Sequence, residues 1–326
     1  QYCTSKSKMP MPDHSRSRLL LLPSAIIALT VLPCRSFQPA RSATPRSTWT
    51  RSGVVGCRGL ADPDAGDRSG PERAIRPPSV LCVGETLYDS LPEAIFLGGA
   101  PTNVANHLAS MGTPAAVVTC VGADRLGKEA FRRLEANGVD TSYVQEHPSL
   151  LTGMVTASID ANGDADYAFD TPAAWDGIQA TEELRGLLCD FAGVTVIGTL
   201  ASRLGERQGA TSASAILELR NLARENSVVL DVNLRPPWYD PASVLALSRG
   251  GGDSYGAGKQ LALVKLNEEE LPIVEEWCGL RPSDALAGNE LKLRMAALAS
   301  SLHARRVCVT RGGDGAALFC GDRGGD

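Results

Sequence analysis

The sequence predicts an α/β fold in which a mainly parallel central sheet lies between two helical layers and carries a small β lid. Over residues 79–326, short apolar runs rich in β-branched residues alternate with longer segments of helical period. These runs are continuously apolar, which is typical of parallel strands covered on both faces. One segment, 152–170, alternates between apolar and polar residues and contains an Ala-Asn-Gly-Asp turn, so we expect a β-hairpin that forms the lid.

The elements follow from these two patterns in chain order. Strands are predicted at 80–84, 114–122, 194–199, 227–233, 261–267 and 306–312. Helices are predicted at 100–111, 128–137, 211–226, 268–277 and 290–302, and Gly138 supplies a stop signal for the second of them. In such folds ligands bind at the carboxyl ends of the strands, so polar residues placed there are the candidates for a site.

The charge of the chain is unevenly distributed. Residues 1–78 contain 12 Lys and Arg against 5 Asp and Glu, a net charge of +7, which leaves −12 on the remainder of a chain whose total is −5. An acidic body gives no support for nucleic-acid binding by that part. We expect no stable membrane span, since no stretch reaches about 18 uninterrupted apolar residues. The nine cysteines include no C-x-x-C pair, which disfavours a disulfide framework or a zinc site.

Residues 1–58 have the composition of a targeting leader. Basic residues precede an apolar run, Leu19–Leu32, which Pro23 interrupts, and an Arg- and Ser-rich stretch follows with no acidic residue before Asp62. A signal segment followed by a transit-type segment predicts plastid targeting, with a secretory signal or a mitochondrial presequence as alternatives. Residues 59–78 form a Pro-, Gly- and Asp-rich linker, so the folded domain is predicted at 79–326.

Three segments predict a polar pocket on the acceptor side of a site. GETLYD places Glu85 and Asp89 just after the first strand, where carboxylates can accept hydrogen bonds from hydroxyl groups. GGAPTN leads into a helix, so Gly99 allows close backbone approach and Asn103 falls in the first turn. LDVNLRP places Asn233 and Arg235 at the end of another strand.

Two further segments predict a phosphate side. In KLNEEEL, Asn267 and Glu270 are three residues apart on one helix face, where they can order phosphate and Mg²⁺-bound water. The alternative is that these acidic residues only complement the helix dipole. In VTRGGDGAALF, a glycine loop follows a strand and can face a nucleotide or form a plain hairpin turn.

Taken together and in this order, the motifs GETLYDSLP, GGAPTNVANHLASMG, VGADRLGKEAFRRLEANGVDT, DVNLRPPW and KLNEEEL resemble the PfkB (ribokinase) family of carbohydrate kinases, in particular its fructokinase-like branch. The resemblance covers about residues 80–320. It implies a ribokinase-like three-layer fold with a β lid, and transfer of the γ-phosphoryl group of ATP to a sugar, with Mg²⁺. It also implies sugar-binding positions at Asp89, Gly99, Asn103, Asn233 and Arg235, and nucleotide positions at Asn267, Glu270, Thr310, Gly312 and Gly315, with Glu270 holding the metal through water.

The family's second signature, D-T-x-G-A-G-D, supplies an anion hole and the catalytic general base. We expect it beyond Asp326, which would make the C-terminal part of the fold incomplete in residues 1–326. A similar segment, Asp253–Lys259, ends in lysine and precedes KLNEEEL, so Gly250–Gln260 is interpreted as a flexible surface insertion with a chance resemblance. The alternative is a decayed or transposed anion hole.

The resemblance therefore predicts an ATP-dependent sugar kinase, with fructose as the expected acceptor and fructose 6-phosphate as the product. Ribose, a nucleoside or 2-keto-3-deoxygluconate are alternative acceptors, because small pocket changes set acceptor choice. A different alternative is a catalytically inactive fructokinase-like scaffold or regulatory protein of a plastid complex. A homodimer formed through the lid is also consistent with the sequence.

Overall fold

The computed structural model describes residues 77–91, 94–159, 165–203, 211–225, 227–250, 259–283 and 286–321. The predicted leader lies outside these residues, as do nearly all of the predicted linker, the Ala-Asn-Gly-Asp turn and residues 251–258.

The central sheet has eight strands, and the prediction of a mainly parallel sheet is confirmed. Seven of these strands are parallel to one another, and one edge strand runs antiparallel to its neighbour. In sheet order the strands are β12 (Ala316–Cys320), β11 (Arg306–Thr310), β10 (Leu263–Asn267), β9 (Val228–Asp231), β8 (Val194–Gly198), β1 (Val80–Val83), β4 (Ala115–Gly122) and β5 (Val144–His147).

Helices cover both faces of this sheet, which gives the predicted three layers. In chain order they are α1 (Ala100–Ser110), α2 (Arg125–Ala136), α3 (Glu182–Asp190), α4 (Ser212–Leu222), α5 (Pro241–Arg249), α6 (Glu270–Trp277) and α7 (Gly288–Ser301). One hydrophobic core joins the sheet to α4, α6 and α7, and it includes Leu219, Leu271 and Leu298. A second core lies on the other face, where Val104 and Leu108 of α1 pack over the strands.

The lid is a separate four-stranded sheet, larger than the hairpin that the sequence predicts. Its order is β3 (Ile95–Gly98), β2 (Leu87–Ser90), β6 (Gly153–Ile159) and β7 (Ala165–Phe169). The expectation that Asp89 follows a strand of the central sheet is therefore wrong in detail, because Asp89 lies within lid strand β2, paired with Val155 of β6. Strands β2 and β3 have four residues each and mix buried with partly or fully exposed side chains, so their alternation of apolar and polar residues is too short to detect in the sequence.

Side-chain caps fix the helices that border the lid. Asp124 is the N-cap residue of α2, and its Oδ1 accepts a hydrogen bond of 2.7 Å from the backbone N–H of Gly127. Its other oxygen accepts one of 2.7 Å from the backbone N–H of Thr152, just before β6. One carboxylate thereby satisfies helix-terminal N–H groups and also holds the start of a lid strand.

The two flanks of residues 251–258 are held by a reciprocal pair of basic side chains. Arg220 of α4 donates to the carbonyl oxygens of Leu247 (2.9 Å), Ser248 (2.7 Å) and Lys259 (2.8 Å). Lys259 in turn donates to the carbonyl oxygen of Ala223 at 2.8 Å. Both flanks lie at the amino ends of the strands, opposite the edge where ligands bind in parallel sheets, so Lys259 is remote from the predicted site.

The cysteines of the strands differ in burial. Cys82, Cys120 and Cys308 are buried free thiols, as expected for small apolar side chains, whereas Cys320 is exposed on edge strand β12. Burial raises the pKa of Cys308 to about 11, so this thiol is unreactive at neutral pH. Among the described residues, no helix combines the length and apolarity needed to cross a membrane.

Candidate functional site

The first part of the site is the junction between β1, β2 and the start of α1. Glu85 is 2% exposed, and its Oε1 accepts a hydrogen bond of 2.9 Å from the backbone N–H of Ala100. Thr102 donates its hydroxyl to the Glu85 carbonyl oxygen at 3.1 Å and lies 2.6 Å from the hydroxyl of Thr86. This network fixes the turn that begins α1, and thus places half-buried Asn103 in its first turn.

Gly99 is required in this turn by both its conformation and its surroundings. Its φ is +101°, a region that L-residues rarely adopt, and a Cβ there would overlap the carbonyl oxygen of Glu85. We expect Gly99→Ala to destabilise the fold by about 2–3 kcal/mol, measured by chemical unfolding. Gly112→Ala is the matched control, because Gly112 also has positive φ but nothing within 4 Å of the position that a Cβ would take. Equal losses in the two variants would contradict the steric argument.

Two carboxylates and one guanidinium meet on the acceptor side. Burial raises the pKa of Glu85 and the pKa of Asp89. The positive charge of Arg235 lowers both pKa values, but by less than burial raises them. Asp89 lies against Gly98, where an added Cβ would overlap its carboxylate. Arg235 itself is exposed. Asp89 and Gly99 therefore lie at one junction with buried Glu85, and the charge of Arg235 acts on both carboxylates.

The second oxygen of Glu85 makes stability depend on pH. Among the described residues Oε2 has no hydrogen-bond partner, so the charged form is poorly compensated. Since the folded-state pKa is raised above 4.5, folding favours protonated Glu85, and stability falls as pH rises from about 4.5 through the folded pKa. We expect Glu85→Gln, which keeps an acceptor for Ala100, to gain thermal stability relative to wild type across that window. A constant difference in Tm from pH 4 to pH 8 would refute this expectation.

The second part of the site is the loop after β9 and its contact with α6. Asn233 has a φ of +37°, and both oxygens of Glu270 accept backbone hydrogen bonds, from Leu234 at 2.7 Å and from Asn267 at 2.9 Å. Asn267 Oδ1 accepts from the backbone N–H groups of Glu269 (2.9 Å) and Glu270 (2.8 Å). These reciprocal bonds have the pattern of a capping box and lie in the turn that leads into α6. Glu270 thus does more than complement the helix dipole, because it joins two ligand-side loops.

A buried ion pair that sequence analysis missed lies directly below this loop. Lys265 Nζ is 2.9 Å from Asp231 Oδ1, and the two residues are register partners on β10 and β9. Burial alone would lower the pKa of Lys265, but attraction to Asp231 and Glu270 outweighs it and the pKa is raised. The available signal was a lysine within an otherwise apolar strand, which requires a buried partner.

The third part of the site is the glycine hairpin between β11 and β12. Thr310 is buried at the end of β11 and pairs in register with Asn267. Gly312 and Gly315 have positive φ, and a Cβ added to either would meet nothing within 4 Å, so the hairpin backbone is open to approach. The segment connects two antiparallel strands, and this geometry is compatible with both alternatives from sequence, a nucleotide-facing loop and a plain turn. A pocket of about 340 Å³ lies beside it, lined by residues that include Leu291, Met295 and Phe319.

All ten predicted residues lie on the same side of the fold, in two groups. The acceptor group belongs to the lid, α1 and the β9 loop, and the nucleotide group to the ends of β10 and β11. The ends of β1 and β10 are three strand spacings apart in the sheet, about 14 Å. The β9 loop and Glu270 lie between them, so the arrangement can hold a small polar acceptor at one end and a phosphate donor at the other.

The chain is similar in sequence to known proteins. A protein named fructokinase from Rhizobium leguminosarum bv. trifolii is 28% identical over 260 residues, which cover 75% of this chain and 70% of that protein. One named probable fructokinase-6, chloroplastic, from Arabidopsis thaliana is 26% identical over 60% of this chain and 52% of its own length.

The solved structure of a fructokinase with bound ATP from Xylella fastidiosa has the same fold, with a TM-score of 0.57 and 20% identity over 74% of this chain and 70% of that one. Residues 94–325, well over half of the chain, match the family described as pfkB family carbohydrate kinase. The chain therefore belongs to the pfkB family of carbohydrate kinases, which are phosphotransferases acting on sugars.

Proposed function

We propose that this sugar kinase transfers the γ-phosphoryl group of ATP to fructose and produces fructose 6-phosphate. The observation that carries the proposal is the convergence of Asp89, Arg235 and the Gly99 turn at one end of the site, because these groups can accept from and donate to sugar hydroxyls. Relatives named fructokinase from several organisms support fructose over other acceptors.

We propose ATP as the donor, bound at the glycine hairpin. Exposed backbone at Gly312 and Gly315 and the adjacent pocket of about 340 Å³ suit a nucleotide, and the related Xylella fastidiosa structure contains ATP. Phosphoryl transfer depends mainly on positioning and charge neutralisation, which two loops joined by Glu270 can provide.

The carboxylate oxygens of Glu270 are the groups that could help to hold Mg²⁺ at this site. Within the described ranges, no three His, Cys, Asp or Glu side chains are placed to hold a metal ion directly. Glu270 retains free lone pairs after its two backbone hydrogen bonds, because each carboxylate oxygen offers two acceptor sites. The residues therefore fit an ion held through water and by the phosphates, which is the usual environment of Mg²⁺. Bound there, Mg²⁺ would neutralise phosphate charge.

The general base that deprotonates the sugar hydroxyl is proposed to be the final Asp of a D-T-x-G-A-G-D motif C-terminal to residue 326. Lys259 cannot substitute, because an ammonium has no lone pair to accept a proton. Its Nζ also donates a hydrogen bond to the carbonyl oxygen of Ala223, just after α4, at the opposite edge of the sheet.

The proposal is tested by measuring sugar-dependent ADP formation with purified natural protein. We expect turnover with fructose, and slower turnover with ribose, nucleosides and 2-keto-3-deoxygluconate. A faster rate with one of these would reassign the acceptor. Failure to form ADP with any of them, in protein that carries the complete signature motif, would favour the scaffold function.

We also propose a homodimer formed through the lid. Within the described ranges no strand pairs with the outer side of edge strand β3, and Ile95 and Phe96 on it are 40% and 50% exposed. Light scattering during size-exclusion chromatography is expected to give twice the monomer mass, and a monomer mass at micromolar concentration would reject the dimer.

We propose plastid targeting by residues 1–78. The basic, acid-poor composition of residues 1–58 supports it, as does the relative named as chloroplastic. A fluorescent protein fused after residue 78 is expected to accumulate in plastids, whereas accumulation in mitochondria or the secretory pathway would assign one of the alternatives.

A further inference from the structure

A stack of aromatic rings and one guanidinium lies at the base of the lid, separate from the ten predicted site residues. We call Phe169, Trp175, Asp176, Arg203 and Trp238 the lid-base cluster. The guanidinium carbon of Arg203 is 3.8 Å from the ring centre of Trp175 and 5.8 Å from that of Trp238. Asp176 forms a buried salt bridge with Arg203, which fixes the guanidinium between the two rings.

The cluster contacts both strands of the lid hairpin, β6 and β7. β6 begins at Gly153, where a Cβ would overlap the indole nitrogen of Trp175, so this strand rests directly on that ring. β7 ends at Phe169, whose ring meets Trp238 edge-on with centroids 6.4 Å apart and an interplanar angle of 72°.

The same cluster also supports the loop that carries the acceptor-side guanidinium. The backbone N–H of Trp238 donates to the carbonyl oxygen of Arg235 at 2.7 Å, which closes a turn. On its other side the loop is held by the hydrogen bond from Leu234 to Glu270. The position of Arg235 is therefore set by Glu270 at one end and by Trp238 at the other.

These contacts connect the two halves of the acceptor site. Asp89 on β2 pairs with β6, and β6 rests on Trp175. Arg235 belongs to the turn that Trp238 closes. A path of direct contacts thus runs from the Asp89 strand through Trp175, Arg203 and Trp238 to Arg235. In packed structures such a path holds the groups at its two ends at a fixed spacing.

We infer that Arg203 and Trp238 are positioning residues for the sugar: they hold Arg235 at the correct spacing from Asp89 by joining the base of the lid to the β9 loop. The inference rests on the proposed sugar-kinase function. It assigns neither residue a contact with the sugar, and it predicts an effect on sugar binding that is not shared by nucleotide binding, because the glycine hairpin follows β11, two strands from β9 in the sheet.

The experiment uses calorimetric titration of full-length protein with fructose and, separately, with an ATP analogue. Trp238→Leu removes the ring contacts to Phe169 and Arg203, so we expect fructose affinity to fall about tenfold while nucleotide affinity is unchanged. Trp238→Phe keeps an aromatic ring and is expected to retain affinity within about threefold. Trp277→Leu is the control, since the ring of Trp277 packs on that of Tyr239.

Tryptophan fluorescence supplies a second readout that a purely structural role would not affect. We expect fructose to change the fluorescence of wild type and of Trp277→Phe, and expect this change to be lost in Trp238→Phe. Arg203→Lys keeps the positive charge beside Asp176 but removes the flat stacking group, so it tests the same link if Trp238→Leu does not fold.

The outcomes separate the inference from the proposed function. Wild-type affinity for fructose in folded Trp238→Leu or Arg203→Lys would overturn the inference alone. Equal weakening of fructose and nucleotide would also overturn it, because it would indicate general damage. If wild-type protein binds nucleotide but none of the tested sugars, the proposed function fails and the inference fails with it.

Discussion

Replacing Lys265 by methionine is expected to destabilise the protein by about 3–5 kcal/mol, because it leaves the buried carboxylate of Asp231 without its charged partner. The side chains of Lys265 and Asp231 are only 6% and 9% exposed, so water cannot replace the lost contact. Asp231 also acts on Glu85 and Glu270, and the variant therefore concentrates negative charge below the β9 loop. Urea unfolding monitored by circular dichroism measures the loss.

Two further variants show whether the unpaired charge is the cause. Lys128→Met removes an exposed lysine from α2 and is expected to change stability by less than about 0.5 kcal/mol. The double variant Lys265→Met/Asp231→Leu removes both charges and is expected to recover most of the loss, because an apolar pair of similar volume often replaces a buried ion pair well. A double variant that is as unstable as Lys265→Met would show that packing, and not charge, dominates.

Glu270→Gln is expected to reduce the kcat for phosphoryl transfer about 100-fold, the size of effect seen when a residue that orients the reacting groups is lost. Two backbone donors, from Leu234 and Asn267, converge on the two carboxylate oxygens. Glutamine offers one acceptor oxygen and one NH₂ group, so one of these buried N–H groups faces another donor. The β9 loop then loses its attachment to α6, with an expected stability cost of about 1–3 kcal/mol.

The neighbouring carboxylates in the same motif provide the control. Glu269 is exposed, and Glu269→Gln is expected to leave both kcat and stability unchanged. Steady-state kinetics with saturating fructose and ATP separate the kcat effect from any change in KM. A Glu270→Gln variant with near wild-type kcat would show that the link between the two loops does not contribute to catalysis.

The central sheet could be predicted from sequence because each buried parallel strand is itself a continuous apolar run, as in residues 114–122. The lid strands β2 and β3 were missed, since each has only four residues and β2 is also paired with β6, which is distant in sequence. Helices α3 and α5 were also missed, although residues typical of helix starts mark both. Thr181 is the N-cap of α3, and Asp240 is the N-cap of α5 and is followed by Pro241.

The same distinction applies to the site. Residues that follow strands, such as Asn233 and Asn267, can be predicted because the carboxyl ends of parallel strands share one edge. The pairs Lys265–Asp231 and Arg203–Asp176 could not, because each joins residues far apart in sequence. Sequence shows that such charged residues exist, but only the folded chain shows which charges neutralise each other.

The reciprocal bonds of Arg220 and Lys259 have a practical consequence for labelling. Arg220 donates to the carbonyl oxygens of Ser248 and Lys259, and Lys259 donates to that of Ala223. Both ends of segment 251–258 are therefore anchored at the edge of the sheet opposite the candidate site. An epitope or a fluorophore-binding peptide inserted between these anchors would leave both attachments intact. Such a tag would allow the enzyme to be immobilised or imaged with the carboxyl ends of the parallel strands facing away from the attachment point.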